Sequence, residues 1–287
     1  MPDLTGTTII ITGANSGIGL EAARLFAHHG AHVVLAVRDE GRGRDAAATV
    51  EGSTEVRRLD LADLASVRSF AENWRGDIHV LVNNAGVLIP PFGKTRDGFE
   101  LQFGINHLGH FALTNLLLPY LTGRVVTVAS SAHRTGRIDF ADLDWSTRPY
   151  RAGSEAYAQS KLANLLFTLE LQRRLEASDS RVIATAAHPG MATTNLGAGA
   201  GNAILKLVGQ VAVPWFAQSA VAGAAPTVFA ATAPMPGGGY VGPSRRGELA
   251  GPPALVDRAA AADDPITAAR LWSVSEELTG VEFPWSC

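Results

Sequence analysis

Short runs rich in valine and isoleucine recur along the chain and alternate with longer segments that have helical spacing. The runs lie at 7–11, 32–37, 78–84, 124–130 and 181–187, and the helical segments at 17–29, 41–51, 63–75, 99–121 and 155–177. Each run is continuously apolar, which is typical of a strand covered on both faces of a parallel sheet. The alternation therefore predicts an α/β fold with a doubly wound parallel sheet.

The organisation of the chain favours one domain. The segment 53–61 is a weaker strand candidate, since Glu55, Arg57 and Arg58 suit an edge of the sheet better than a buried position. No linker rich in Pro, Gly or Ser interrupts the chain before about residue 190, so a single domain over 1–287 is expected. Within it, 191–220 is rich in Gly and Ala and then apolar, and we predict a substrate lid there.

Composition argues against several partner classes. The net charge is -3 and the pI is about 6.2, so no basic field attracts nucleic acid or anionic lipid. The only cysteine is Cys287, which excludes an intrachain disulfide and favours a cytoplasmic location. The N-terminus has no signal-peptide pattern, and polar residues and Pro214 interrupt the apolar stretch 203–217. A protein with no transmembrane anchor is expected.

A glycine-rich turn joins the first strand to the first helix. Residues 12–19 read TGANSGIG. Unpaired N–H groups and the partial positive charge at a helix N-terminus attract a pyrophosphate, and glycine lets it approach the backbone. The turn thus predicts a Rossmann-type dinucleotide site. Its candidate cofactor-binding residues are Gly13, Asn15, Ser16, Gly17, Ile18 and Gly19.

The end of the second strand bears on cofactor choice. A carboxylate there would accept hydrogen bonds from the ribose of NAD, whereas Arg38 can bind a 2′-phosphate. We therefore expect NADP(H), with Arg38 as the contact. Two alternatives stay open: Arg38 is an ordinary solvated arginine, or Asp39 selects NAD.

Tyr157 and Lys161 lie four residues apart in the segment 155–177, so both occupy one face of the predicted helix. An ammonium about 4 Å from a phenol supplies about 4 kcal/mol at an effective dielectric of about 20. That is enough to bring the tyrosine pKa from about 10 to near 7 for acid/base catalysis. Ser130 and Ser131 end the strand 124–130, where a hydroxyl could bind a substrate carbonyl oxygen or cap a turn.

These motifs in this order resemble the classical short-chain dehydrogenase/reductase family. The resemblance covers TGANSGIG, Asp60, NNAG at 83–86, Asn106, Ser131, Tyr157 with Lys161, and the Pro-Gly pair at 189–190. It runs from the first strand to about residue 194. The segments 97–111 and 160–171 are similar to the branch that contains retinol dehydrogenases, protochlorophyllide reductase and WW-domain oxidoreductase, as are GGGYVGPS and a final helix around 265–279.

The resemblance implies roles for individual residues. Tyr157 would exchange a proton with the substrate oxygen, Lys161 would lower the pKa of Tyr157 and hold the nicotinamide ribose, and Asn106 would hold a relay water. Of the two serines, Ser131 would orient the substrate oxygen, because the family's serine is the one followed by the turn. The remaining cofactor contacts implied are Asp60, Leu61, Asn83, Ala85, Gly86, Pro189, Gly190 and Thr194.

The substrate is expected to be a small apolar carbonyl or alcohol. The connection 132–156, with Arg134, Phe140, Trp145 and Tyr150, is longer than a strand-to-helix link needs and would form the pocket with the lid. A non-catalytic NADP-sensing regulator and a nucleotide-sugar epimerase are the alternatives. His107, His110 and His188 lack further ligands at metal-site spacing, so no metal is expected. Whether the chain forms a homo-oligomer is left open.

Overall fold

The strands form one sheet that orders the whole molecule. The computed structural model describes residues 1–150, 153–191 and 219–285, and these contribute eight strands in the order β3-β2-β1-β4-β5-β6-β7-β8. All neighbours are parallel except β7 and β8, which are antiparallel. The strands are β1 Thr8–Thr12, β2 His32–Val37, β3 Thr54–Arg58, β4 Ile78–Asn83, β5 Leu121–Val128, β6 Ile183–Ala187, β7 Tyr240–Arg245 and β8 Ala250–Leu255.

Helices connect the strands. They are α1 Gly17–His28, α2 Glu40–Ala47, α3 Leu64–Glu72, α4 over 101–117, α5 Ser154–Ala177, α6 Ala220–Thr232 and α7 Pro265–Thr279. Helix α4 has three parts, an α-helical start at Leu101–Phe103, a π-helical turn at Gly104–Leu108 and an α-helical end at Gly109–Leu117. Short 3-10 turns follow at Leu118–Tyr120, Ser131–Thr135 and Ala260–Ala262.

Both faces of the sheet are buried, as the unbroken apolar strands predict. Ile9 and Ile11 of β1 pack with α1 and α6 on one face. Ile10 faces the opposite side and packs with α3, α4, α5 and α7. Because successive side chains of a strand point to opposite faces, a strand covered on both sides needs apolar residues at every position.

Helix α7 covers α4 and α5. The Trp272 ring lies 4.9 Å from the Phe111 ring of α4 and 5.7 Å from the Phe167 ring of α5, between ring centres. All three side chains are buried. At this contact, apolar side chains of α4 and α5 therefore pack against α7 of the same chain.

The predicted α/β fold with a doubly wound, mostly parallel sheet is confirmed, and so is the edge position of the strand in 53–61. Strands β7 and β8 were not predicted. The predicted lid 191–220 lies almost entirely outside the described residues, so it stays a prediction. No helix within the described ranges is both long and apolar enough to cross a bilayer.

Candidate active site

The predicted motifs meet at the carboxyl ends of the parallel strands. The turns after β1, β4, β5 and β6 all leave from the carboxyl ends of parallel strands. The connections run in opposite directions on either side of the β1–β4 pair, and such a switch point opens a crevice where ligands bind in doubly wound sheets.

The N-terminus of α1 is free to bind an anion. The Ser16 side chain makes no capping hydrogen bond there, and the first turn holds no acidic residue. By contrast, Asp39 caps α2 and Asp63 caps α3. Since the first N–H groups of a helix lack intrahelical partners, the start of α1 fits a pyrophosphate.

Two glycines bring the turn after β1 against the turn after β4. Gly13 has a φ of 67°, and a Cβ on it would lie 3.0 Å from Ala85. A Cβ on Gly19 would lie 2.5 Å from Nδ2 of Asn84. A side chain at either position would push these turns apart, so the glycines are required by packing as well as by phosphate access.

Thr12 and Asn84 hold the same two turns together. The Thr12 hydroxyl accepts the N–H groups of Asn84 and Ala85, each at 2.9 Å. In return, Nδ2 of Asn84 donates to the carbonyl oxygen of Thr12 at 2.8 Å. Both residues stand inside the quoted motifs, but a contact across 72 positions cannot be predicted from either motif alone.

The Asn83 side chain does not face the crevice. Its Nδ2 donates to the Thr114 hydroxyl at 2.9 Å, and the residue is 1% exposed. The Nδ2 group of Asn83 is therefore used to hold β4 to α4.

Arg38 is exposed at the end of β2, and among the described residues it forms no ion pair. The neighbouring Asp39 uses its Oδ1 to accept the N–H of Arg42 at 3.1 Å. At the end of β3, Oδ1 of Asp60 accepts the N–H of Ala62 at 3.0 Å. The guanidinium of Arg38 is thus available, whereas the Asp39 carboxylate already serves as a helix cap.

Ser130, and not Ser131, adjoins Tyr157. Burial raises the pKa of Tyr157, and a hydrogen bond with the Ser130 side chain opposes that rise. Ser131 is exposed and begins the 3-10 turn, for which the Ser130 hydroxyl accepts the N–H of Ala132 at 3.2 Å. Because β5 ends at Val128, before the serine pair, the turn carries the predicted Ser131 to the surface, and Ser130 is the serine whose side chain affects the pKa of Tyr157.

Lys161 lies within the core one turn after Tyr157. Its Nζ donates to the carbonyl oxygen of Val128 at 2.9 Å, and the residue is 4% exposed. Nζ lies 5.7 Å from the centre of the Tyr157 ring. Burial lowers the pKa of Lys161 to about 8. The lysine therefore has N–H groups left for a ligand on the side of the crevice.

The net shift of the Tyr157 pKa is upward, opposite to the predicted direction. Burial penalises the charged phenolate and is the largest cause of the upward shift.

Asn106 lies in the π-helical turn and ties two segments to α4. Its Oδ1 accepts the N–H of Val87 at 2.8 Å, and its Nδ2 donates to the Val87 carbonyl at 3.1 Å and to the Ser160 hydroxyl at 3.0 Å. The side chain of Asn106 therefore holds the turn after β4 and the helix α5 against the π-helical turn.

The turn after β6 approaches the β7–β8 hairpin. Gly190 has a φ of 65°, its N–H donates to Nδ1 of His188 at 3.3 Å, and the N–H of Met191 donates to the Leu249 carbonyl at 3.0 Å. Pro189 lies between His188 and Gly190 in the chain. Thr194, the predicted carboxamide contact, lies outside the described residues.

The connection after β5 is held by contacts of the side chains that the sequence predicts to line the substrate pocket. Arg134 pairs with Glu248 at 3.0 Å, and the Arg270 guanidinium lies 4.0 Å from the centre of the Phe140 ring. Trp145 contacts Tyr150 with ring centres 5.9 Å apart. These contacts order the segment but do not by themselves define a substrate pocket.

The histidines of α4 point to different neighbours. Nε2 of His107 bonds to the Ser275 hydroxyl of α7 at 2.9 Å, whereas Nε2 of His110 bonds to the Thr12 hydroxyl at 2.9 Å. The third candidate, His188, follows β6, and its Nε2 lies 3.3 Å from Oε2 of Glu248. Within the described ranges, no three His, Cys, Asp or Glu side chains are grouped as metal ligands.

Comparisons with known proteins agree with this arrangement. The family model described as short chain dehydrogenase matches residues 7–143. Human retinol dehydrogenase 13 (Homo sapiens) is 41% identical over 302 residues, which cover 98% of this chain and 87% of the relative. The chain belongs to the short-chain dehydrogenase/reductase family. It is accordingly an NAD(P)-dependent oxidoreductase of the branch that includes the retinol dehydrogenases.

Solved structures extend the match over the whole short-chain dehydrogenase fold. An uncharacterised protein from Mycobacterium paratuberculosis has 50% sequence identity and a TM-score of 0.87, with 99% of this chain and 97% of that chain covered. An NAD(P)-dependent gluconate 5-dehydrogenase from Beutenbergia cavernae, whose structure contains NADP, has 26% identity and a TM-score of 0.59, with 80% and 91% covered.

Proposed function

We propose that this oxidoreductase transfers a hydride between NADP(H) and a small apolar carbonyl or alcohol, with Tyr157 as the proton donor and acceptor. The observation that carries the proposal is the position of the buried Lys161 one turn after Tyr157, with its Nζ 2.9 Å from the Val128 carbonyl oxygen and 5.7 Å from the centre of the Tyr157 ring. This group stands at the carboxyl end of β5, next to the turn after β4 that packs on the phosphate-binding turn.

Each residue has a distinct task. In the reducing direction the Tyr157 hydroxyl donates its proton to the substrate oxygen, while Ser130 bonds to that oxygen and orients it. The N–H groups of Lys161 that Val128 does not use bind the ribose of the nucleotide. The ammonium also favours the phenolate once the proton has left. The nucleotide supplies the hydride when it is bound.

The free Arg38 side chain supports NADP(H) over NAD(H). A guanidinium binds a phosphate in a fork, whereas ribose recognition in NAD enzymes uses a carboxylate at this position. The Asp39 carboxylate is engaged at the start of α2, which weakens its candidacy for that role.

Further cofactor contacts follow from position. Gly13 to Gly19 would hold the pyrophosphate, Asp60 and Leu61 the adenine, and Asn83 to Gly86 would line the cofactor. The segment from Pro189 would hold the carboxamide through Thr194. Asn106 would hold a water in a proton relay towards Lys161.

The substrate class is inferred from the relatives. Several curated relatives are retinol dehydrogenases, whose named substrate is an apolar alcohol. An apolar lid over 191–220 would suit such a substrate. The cytoplasmic location stays a prediction.

A screen of apolar aldehydes, ketones and alcohols with both nicotinamide nucleotides tests the proposal. We expect NADPH oxidation with at least one apolar carbonyl and a strong preference for NADPH. Binding of the nucleotide with no turnover across the panel would favour the regulator, and substrate isomerisation without net oxidation of the nucleotide would favour the epimerase.

A further inference from the structure

One buried side chain connects the phosphate-binding turn to the turn of α4 that carries Asn106. His110 is 2% exposed and belongs to neither motif. Its Nε2 lies 2.9 Å from the Thr12 hydroxyl, and its Nδ1 lies 3.1 Å from the carbonyl oxygen of Asn106. The ring thus bridges two parts of the site that are far apart in sequence.

The hydrogen-bonding capacity of Thr12 fixes the direction of these bonds. A hydroxyl has one proton to donate and two lone pairs. The N–H groups of Asn84 and Ala85 use both lone pairs of the Thr12 hydroxyl. Its proton must therefore go to an acceptor, and Nε2 of His110 at 2.9 Å is nearer than the Val82 carbonyl at 3.4 Å.

It follows that His110 is a neutral imidazole with its proton on Nδ1. Nε2 accepts from Thr12, so Nδ1 carries the hydrogen and donates to the Asn106 carbonyl. Burial and the nearby Lys161 ammonium lower the pKa of His110 to about 4, against the opposing effect of the bond to Asn106. Both ring nitrogens are then satisfied at neutral pH.

The π-helical turn gives this histidine its acceptor. In the turn Gly104–Leu108, the N–H of Gly109 bonds to the carbonyl of Gly104, one residue farther back than in an α-helix. Such turns alter carbonyl pairing locally and are frequent at functional sites. Here the side chain of His110 reaches back to the Asn106 carbonyl and holds the irregular turn.

We propose that His110 is a positioning residue that holds the phosphate-binding turn against the Asn106 turn and thereby sets nucleotide affinity. The inference rests on the proposed function, because it assumes that the nucleotide binds at these turns. A turn held in its binding conformation loses less freedom when the ligand arrives, so its release weakens binding.

His107 supplies a matched control on the same helix. It is equally buried at 2% exposure, but it bonds to Ser275 of α7 and not to the cofactor turns. The Ser275 hydroxyl also bonds to the Leu271 carbonyl at 2.7 Å, so it keeps a partner when His107 is replaced. Substitution of either histidine by phenylalanine removes the hydrogen-bonding ring nitrogens and keeps an aromatic ring of similar size.

The experiment compares dissociation constants for NADPH, measured by titration of protein fluorescence without substrate, in the native protein, His110→Phe and His107→Phe. We expect about tenfold weaker binding in His110→Phe and less than about twofold change in His107→Phe, since one buried hydrogen bond contributes on that scale. Equal affinities for His110→Phe and the native protein, or equal weakening in both variants, would overturn the inference.

Two polar variants keep the test decisive where phenylalanine prevents folding. His110→Gln can still offer an acceptor to Thr12 and should restore affinity to within about threefold of native, whereas His110→Asn reaches only Asn106 and should bind about tenfold more weakly. The reverse order would contradict the inference. Failure of the native protein to bind NADPH would overturn the proposed function first, and would be seen before any variant is compared.

Discussion

The Lys161 ammonium donates to the Val128 carbonyl oxygen at 2.9 Å and lies 5.7 Å from the centre of the Tyr157 ring. A charged group is therefore held inside the protein by one main-chain bond, beside a phenol whose pKa burial raises. Such a pair is poised for a ligand: the charge on Lys161 is costly without one, and it stabilises a phenolate during turnover.

Lys161→Met should stabilise the protein at pH 7 while abolishing activity. The folded-state pKa of about 8 lies below the ordinary value of 10.5, so folding disfavours the ammonium by about 3 kcal/mol below pH 8. The Val128 carbonyl keeps a bond from Asn164 at 3.1 Å, which limits the loss in the variant.

The pH dependence of the stability gained by Lys161→Met provides a control for this prediction. Between pH 8 and 10.5 the unfolded chain binds more protons than the folded one, so native stability rises with pH through this window. The advantage of Lys161→Met should therefore shrink towards pH 10.5. Denaturant unfolding at several pH values measures it, and a constant difference across the window would contradict the account.

Ser130→Ala should lower kcat by about a hundredfold, because we propose that the Ser130 hydroxyl orients the substrate oxygen for Tyr157. Ser131→Ala should stay within about twofold of native, since Ser131 is exposed in the turn. Steady-state kinetics on both variants decide between the two serines. A larger effect from Ser131→Ala would reverse the assignment made from the structure.

Arg38→Asp should invert the cofactor preference. Removal of the guanidinium weakens NADPH, and the new carboxylate can accept bonds from the ribose of NADH, so we expect a shift of at least about tenfold in the ratio of affinities. Arg181→Asp makes the same charge change at an exposed residue before the amino end of β6, whereas Arg38 follows the carboxyl end of β2. An equal shift in both variants would point to overall charge and not to a 2′-phosphate contact.

Acid should destabilise the protein through its buried histidines. Burial lowers the pKa of His107 to about 3, whereas the unfolded histidine binds a proton near pH 6.5. Stability is then complete above about pH 6.5 and falls by about 1.4 kcal/mol per pH unit for each such histidine as the pH drops. In His107→Phe the slope measured by denaturant unfolding should be shallower, and an unchanged slope would count against this origin.

Most of the nucleotide-binding fold could be predicted from the sequence. Continuous apolar runs such as 32–37 mark strands covered on two faces, and the charged residues of β3 mark an edge. Strands β7 and β8 escaped prediction because Pro243 faces Pro253 across the antiparallel pair, and proline breaks the expected strand pattern.

The candidate site was predictable where the motif fixes a spacing and less so where the chain turns. Tyr157 and Lys161 follow from helical periodicity. The choice between Ser130 and Ser131 depends on where β5 ends, which sequence patterns place only to within a residue or two. The role of His110 depends on a contact with Thr12 across 98 positions, and no local pattern contains it.

The most direct test of the account is the Tyr157→Phe variant, assayed for both NADPH binding and carbonyl reduction, with Tyr120→Phe as the control for the same chemical change elsewhere. We predict NADPH affinity within about threefold of native and a loss of about a thousandfold in kcat for Tyr157→Phe alone. Reduction at a near-native rate by folded Tyr157→Phe would contradict the claim that this hydroxyl transfers the proton.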